Sequence, residues 1–171
     1  MKIPENSLLR SYRYNHADSY KQTFISDRTD INSTTVGKLF FSSGPKWMDR
    51  LFMLRNRLVK VFGLKTSGDL KDREEQLNRF QCEPGEQLGL FNVFEKNDEE
   101  VIIGEDDKHL NFRVSLLLNN TQKPQKELII TTIVQFNNRF GRFYFAVIKP
   151  FHTAVVRSMV KGIIRELQVY K

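Results

Sequence analysis

Apolar and polar residues alternate most clearly from Leu110 to Asn119. Leu110, Phe112, Val114, Leu116 and Leu118 are apolar, against Asn111, Arg113, Ser115 and Asn119. A period of two marks a half-buried β-strand. Leu128, Ile130, Thr132, Val134 and Phe136 repeat it, while Ile129 and Ile133 make the second side apolar too. That predicts a strand covered on both faces. The stretch between them, Asn119 to Lys126, carries Asn120 and Pro124 and reads as a hairpin loop. Shorter strands are expected over Ala17–Ser26, Leu88–Phe94 and Val101–Ile103, with a turn at Gly104–Lys108. After a compact turn at Asn137–Gly141, the β-prone Phe143, Tyr144, Phe145, Val147 and Ile148 predict a final strand.

At Pro150 the period changes. Phe151, Val155, Val156, Met159, Val160, Ile163, Ile164 and Leu167 share one helical stripe, and His152, Arg157, Lys161, Arg165 and Gln168 fall on the other side. Pro150 suits the first turn of that helix. Earlier in the chain, Ser33 or Thr34 can cap a short helix through Val36, Leu39, Phe40 and Phe41. Pro45 opens a second, anchored by Trp47, Leu51, Leu54, Leu58 and Phe62, with Gly63 as its C-terminal cap. The two form a helical hairpin. Asp69–Phe80 has strong helix formers but few apolar anchors, and reads as a solvated helix or a loop. The fold class is α+β: a curved antiparallel sheet of about six strands, a helical hairpin, and a long C-terminal helix lying in the hollow of the sheet.

Composition narrows the picture. The chain has 171 residues, 40% of them hydrophobic and 14 of them Phe, which suits one domain over 1–171 with a substantial core. Its single cysteine, Cys82, excludes an internal disulfide and suits a reducing compartment, so the cytoplasm is expected. The first residues contain no apolar run of the kind found in signal peptides, and no stretch is long enough for a membrane span. The net charge of +7 invites a polyanionic partner, but acidic residues are interleaved almost throughout and nucleic acid is disfavoured.

Several strings resemble a bacterial family known only as a domain of unknown function. They are Pro45–Trp47, Leu54–Asn56 leading to Phe62–Thr66, Gly104–Arg113, Asn138–Arg142 and Lys149–His152. The similarity runs from about Asp18 to Ile164. The element order also resembles the helix-grip fold of the START and Bet v 1-like (SRPBCC) superfamily, which includes polyketide cyclases and lipid carriers. The resemblance implies a cavity between sheet and long helix that could hold an apolar molecule; no cofactor is expected.

The candidate binding residues follow from that frame. His109 stands beside Glu105, Asp106 and Asp107, and a neighbouring carboxylate can make an imidazole a general base. His152, with Lys149 and Arg157 near a helix start, could receive an anionic head group. Arg55 and Asn56 interrupt an apolar helix; Arg142 and Tyr144 could line the mouth of a cavity; Met159 lies in the stripe that would form its wall. Each has a structural alternative: turn hydrogen bonds for the acidic cluster, solvent for His152, anchoring of loop carbonyls for Arg55. No metal-ligand spacing, P-loop, dinucleotide fingerprint or nucleophile elbow is present. Three readings remain: a binding module for a small apolar or amphipathic molecule, a cyclase-like enzyme using polar residues at the same cavity, and a ligand-free interaction protein with a basic surface. The first is preferred. The sequence alone leaves catalysis and oligomeric state open.

Overall fold

The computed structural model describes residues 3–44, 73–120 and 124–169. Arg55 and the expected second helix, Pro45–Phe62, lie outside the described residues. The strands are β1 (His16–Ile25), β2 (Gln87–Leu88), β3 (Phe91–Lys96), β4 (Glu100–Asp106), β5 (Leu110–Asn120) and β6 (Gln125–Phe136). They form one curved antiparallel sheet in the order β1-β6-β5-β4-β3-β2. Consecutive strands β2 to β6 are a meander, and β1 returns to pair with β6 along its whole length. The helices are α1 (Ser33–Ser42), α2 (Arg73–Arg79) and α3 (Arg139–Val169). Among the described residues no helix is long and apolar enough to cross a membrane.

The alternation sorts the two faces of the sheet. Val101, Ile103, Val114, Leu116, Leu118, Leu128 and Ile130 point inward. There they meet Val36, Phe40 and Phe41 of α1, and Val156, Met159, Val160, Ile163, Ile164 and Leu167 of α3. The apolar stripe of the C-terminal helix is therefore seated on the sheet, as its spacing predicts. The α1 end of the hollow is filled by edge-to-face aromatics. Phe40, Phe41, Phe80, Phe91 and Phe112 contact one another at 5.3–5.7 Å between ring centres, a favoured geometry for π-systems.

The outer face is covered by the N-terminal segment. Leu9, in a 3-10 turn (Leu8–Ser11), packs on Ile102 and Ile133 with Tyr12, Ala17 and Phe94 around them. This explains why β6 is apolar on both sides. A buried carboxylate ties the segment down. Glu100 accepts from Ser7 Oγ at 2.6 Å, from the Leu8 amide at 2.7 Å, and from Ser115 Oγ. Arg113 stacks over Phe94 at 3.5 Å and holds Asp106 through both guanidinium ends, at 2.8 and 3.1 Å.

Four expectations are corrected. Phe143–Ile148 is not a strand: it is the first half of α3, which begins at Arg139 and carries Pro150 inside it. The sixth strand is instead β2, split from β3 by a turn in which Gly89 has φ +61°. Gly104, Glu105 and Asp106 belong to β4 rather than to a turn. Asn32, not Ser33 or Thr34, caps α1, its side chain accepting from the Thr35 amide. The helical outcome at 139–148 has a local cause. Asn138 Oδ1 accepts from the Gly141 amide at 2.9 Å, as an N-cap does, and its Nδ2 donates to the Lys108 carbonyl at 3.0 Å. A Cβ on Gly141 would stand 1.9 Å from the His109 carbonyl oxygen, so only glycine lets the helix start lie on the β4–β5 hairpin. The strings Gly104–Arg113 and Asn138–Arg142 thus meet as a structural joint.

Candidate functional site

The polar positions of the inner face converge at one end, where β1 begins and α3 passes over it. His16 and Asp18 are two residues apart on β1 and point to the same side. Thr132 on β6 is the cross-strand partner of Asp18. His152 comes from α3. Asp18 Oδ2 lies 3.3 Å from His16 Nε2, and Asp18 Oδ1 lies 3.4 Å from His152 Nε2. Phe145, seven residues before His152 on the same helix face, packs its ring against both imidazoles at 4.9 and 6.5 Å between centres. Tyr20, next inward on β1, donates to Thr153 Oγ1 at 3.3 Å, and Arg157 stacks over its ring.

The electrostatics favour an ionised Asp18. Burial pushes its carboxyl pKa up, but the interaction with His152, and then with His16, outweighs burial and holds it below the ordinary value. Three buried polar atoms have no hydrogen-bond partner among the described residues: Asp18 Oδ1, His152 Nε2 and Thr132 Oγ1. The two nitrogen and oxygen atoms facing each other at 3.4 Å are attracted by charge but fall outside good hydrogen-bond distance. Buried polar atoms are usually paired, so a cluster of three at one place is unusual.

The described residues among those expected from the sequence lie at separate places. His152 belongs to this cluster. Met159 is buried in the solid packing between α3 and the sheet. His109 is also buried, at the β4–β5 turn, where its ring meets Tyr144 edge to face at 4.8 Å and Phe140 at 5.9 Å. Asp107 Oδ2 lies 3.5 Å from its Nδ1. Asp106 lies on the outer face with Arg113, so Asp106 and His109 do not form a pair. Arg142 reaches over Phe136. The Cys82 thiol is pushed up to about 11 by burial and stays protonated at neutral pH, which leaves it a poor nucleophile.

Two concavities lie on the outer side. One is a narrow cleft of about 20 Å³ lined by Tyr12, Asn111, Arg113 and Ile133; the other is a broad groove of about 480 Å³ along Tyr12–Asn15 and Gln135–Phe136. Among the described residues no group of three or more His, Cys, Asp or Glu side chains is placed to hold a metal ion.

The DUF2867 family, described as a protein of unknown function, matches residues 10–159. The chain belongs to the DUF2867 family. The match spans β1, the whole meander and two thirds of α3, and so includes His16, Asp18, Thr132 and His152. No curated protein matches the sequence.

His16, Asp18 and Thr132 were missed by sequence reasoning. A signal existed for Thr132, which occupies an inward position in a strand whose other inward members are apolar. His16 and Asp18 show the same period-two phase at the start of β1. The partner that gives them meaning, His152, stands near the other end of the chain.

Proposed function

We propose that this DUF2867 protein binds a small amphipathic molecule where α3 crosses the start of β1. Its polar end meets Asp18, His16, His152 and Thr132; its apolar part lies along Phe145 and Tyr20. The observation that carries this reading is the convergence of three buried polar atoms without a hydrogen bond: Thr132 Oγ1 of β6, and the ion-paired Asp18 Oδ1 of β1 and His152 Nε2 of α3. An ionised Asp18 asks for a donor, so a hydroxyl or amine suits it better than a carboxylate. A long helix over a curved sheet, resembling the START and Bet v 1-like arrangement, supports the reading. The aromatic filling of the hollow near α1 favours the β1 end of the space between the sheet and the long helix.

Native mass spectrometry of the purified protein, followed by solvent extraction, tests this. Fluorescent long-chain alcohols and amines serve as probes. The expected result is stoichiometric binding that weakens about tenfold or more in Asp18→Asn and in Thr132→Val, consistent with loss of a hydrogen bond to a charged group. A wild-type protein that carries no extractable molecule and takes up none of the probes overturns the reading.

One observation favours a second reading. A carboxylate beside an imidazole orients the ring and stabilises its protonated form, the arrangement used in general acid–base catalysis. A cyclase-like enzyme that moves a proton through His152 would convert the bound molecule. Turnover lost in His152→Gln with binding retained would favour it over binding alone.

A further inference from the structure

The first half of α3 carries an apolar ridge that faces away from the sheet. Phe143, Val147 and Phe151 are spaced four apart and are 69%, 55% and 54% exposed. Phe140, 36% exposed, begins the same ridge. At 100° per residue these four side chains fall within one narrow sector, opposite the side bearing Phe145 and His152. Ala146, Pro150 and Ala154 flank it and are exposed. Isolated exposed apolar residues are ordinary; three large ones in one row on a helix are a surface.

Along α3 as far as Arg165 the charge has one sign. From Leu128 to Arg165 the sequence contains no Asp or Glu, while Arg139, Arg142, Lys149, Arg157, Lys161 and Arg165 all fall on α3. The interleaving of charge that holds for the rest of the chain fails here. Arg139 and Lys149 make no ion pair among the described residues. Further along the outward side of the helix, Arg157, Lys161 and Arg165 take the place of the aromatics.

We propose that this ridge docks onto an anionic lipid surface, with Phe143, Val147 and Phe151 entering the headgroup boundary and Arg139, Lys161 and Arg165, which lie on or beside the same helical sector, meeting lipid phosphates. Aromatic side chains on one sector and cations beside it are the chemistry of a helix that lies in the plane of a membrane interface. A second copy of the chain is the poorer occupant. A two-fold contact through this ridge would bring the same arginines and lysines of both copies together, and like charges at an interface are costly.

Sedimentation of the full chain with vesicles tests the proposal, independently of whether any small molecule is bound. The expected result is binding to equimolar phosphatidylcholine–phosphatidylglycerol vesicles and little to pure phosphatidylcholine. The double variant Phe143→Ala/Phe151→Ala should bind at least about tenfold more weakly, from the lost burial of two rings. Lys161→Gln/Arg165→Gln should lose binding and its salt dependence together. Unchanged thermal melting shows that the variants fold. Three outcomes overturn the proposal: no vesicle binding by the wild type; binding unaffected by the phenylalanine pair, which would mean charge alone; or a concentration-dependent dimer in sedimentation velocity that the phenylalanine variant abolishes.

Discussion

The two halves of α3 are built on opposite plans. From Val156 to Leu167 the helix buries a full stripe against the sheet and turns Arg157, Lys161 and Arg165 to solvent. From Arg139 to Ala154 the only apolar side chain that it buries fully is Phe145, in a small cluster with Leu110 and Val134. Its outward face is the apolar one. An amphipathic helix has its stripe where it packs. The second half obeys that rule towards the core, and the first half turns Phe143, Val147 and Phe151 to solvent. Stability and surface chemistry are therefore segregated along a single element, and the Asp18–His152 contact marks the boundary.

The sharpest way to break this comparison is to truncate one residue in each half. Ile163 is fully buried, and Ile163→Ala should cost about 2–5 kcal/mol from lost transfer energy plus the cavity left behind. Phe143→Ala removes a larger side chain from solvent and should change stability by less than about 0.5 kcal/mol. Urea unfolding followed by circular dichroism measures both. Equal losses would mean that Phe143 is packed, and the segregation would be wrong.

Pro150 tests whether the first half is helical at all. Inside a helix it cannot donate to the Ala146 carbonyl, and its ring crowds the preceding turn. Replacing an exposed interior proline by alanine should therefore stabilise, by up to about 3 kcal/mol. If residues 143–148 formed a strand with Pro150 at the following helix start, Pro150→Ala would be neutral or harmful. A rise in melting temperature with increased helical signal is the expected outcome.

Gly141 tests the joint that starts the helix. An added methyl would meet the His109 carbonyl oxygen at 1.9 Å, a backbone atom that cannot swing aside. Gly141→Ala should cost about 1–3 kcal/mol despite alanine's better helix propensity. Gly162 lies in the other half, deep in the same helix. Hydrogen exchange should show the Gly141 variant opening at the β4–β5 hairpin and the first turns of α3, with the amides around Ile163 still protected.

These elements differ in how far the sequence discloses them. The strands at 110–118 and 128–136 are legible because a period of two repeats over many residues. The second half of α3 is legible because its stripe is apolar on one side and charged on the other. The first half is not: a run of aromatic and β-branched residues suits a strand by composition, and its outward apolar ridge hides the polar side that would identify a helix. The decisive signals are Asn138 and Gly141, which act only once the hairpin they dock on is in place. The candidate site is half legible for the same reason. His152 stands out as a histidine near a helix start, whereas Asp18 looks like an ordinary polar strand residue until β1 pairs with β6 and brings Thr132 and His152 to it.

The smallest expected effect lies at the boundary itself. The Asp18 carboxyl is held below its ordinary value near 3.8 because His152 and His16 outweigh the cost of burial. A group with a lowered folded pKa binds fewer protons when folded than when unfolded, so it adds stability above its unfolded pKa. That contribution is intact at neutral pH and fades as pH falls below about 3.8 towards the lower folded value. Asp18→Asn cannot titrate. Its stability against acid should lack this component, so the gap between wild type and variant should narrow as pH drops through that window. The curves are to be measured by denaturant titration from pH 7 downward. A gap that stays constant or widens in acid would mean that the two histidines do not hold the carboxylate. The seam between the halves of α3 would then lose the charge contact that joins them.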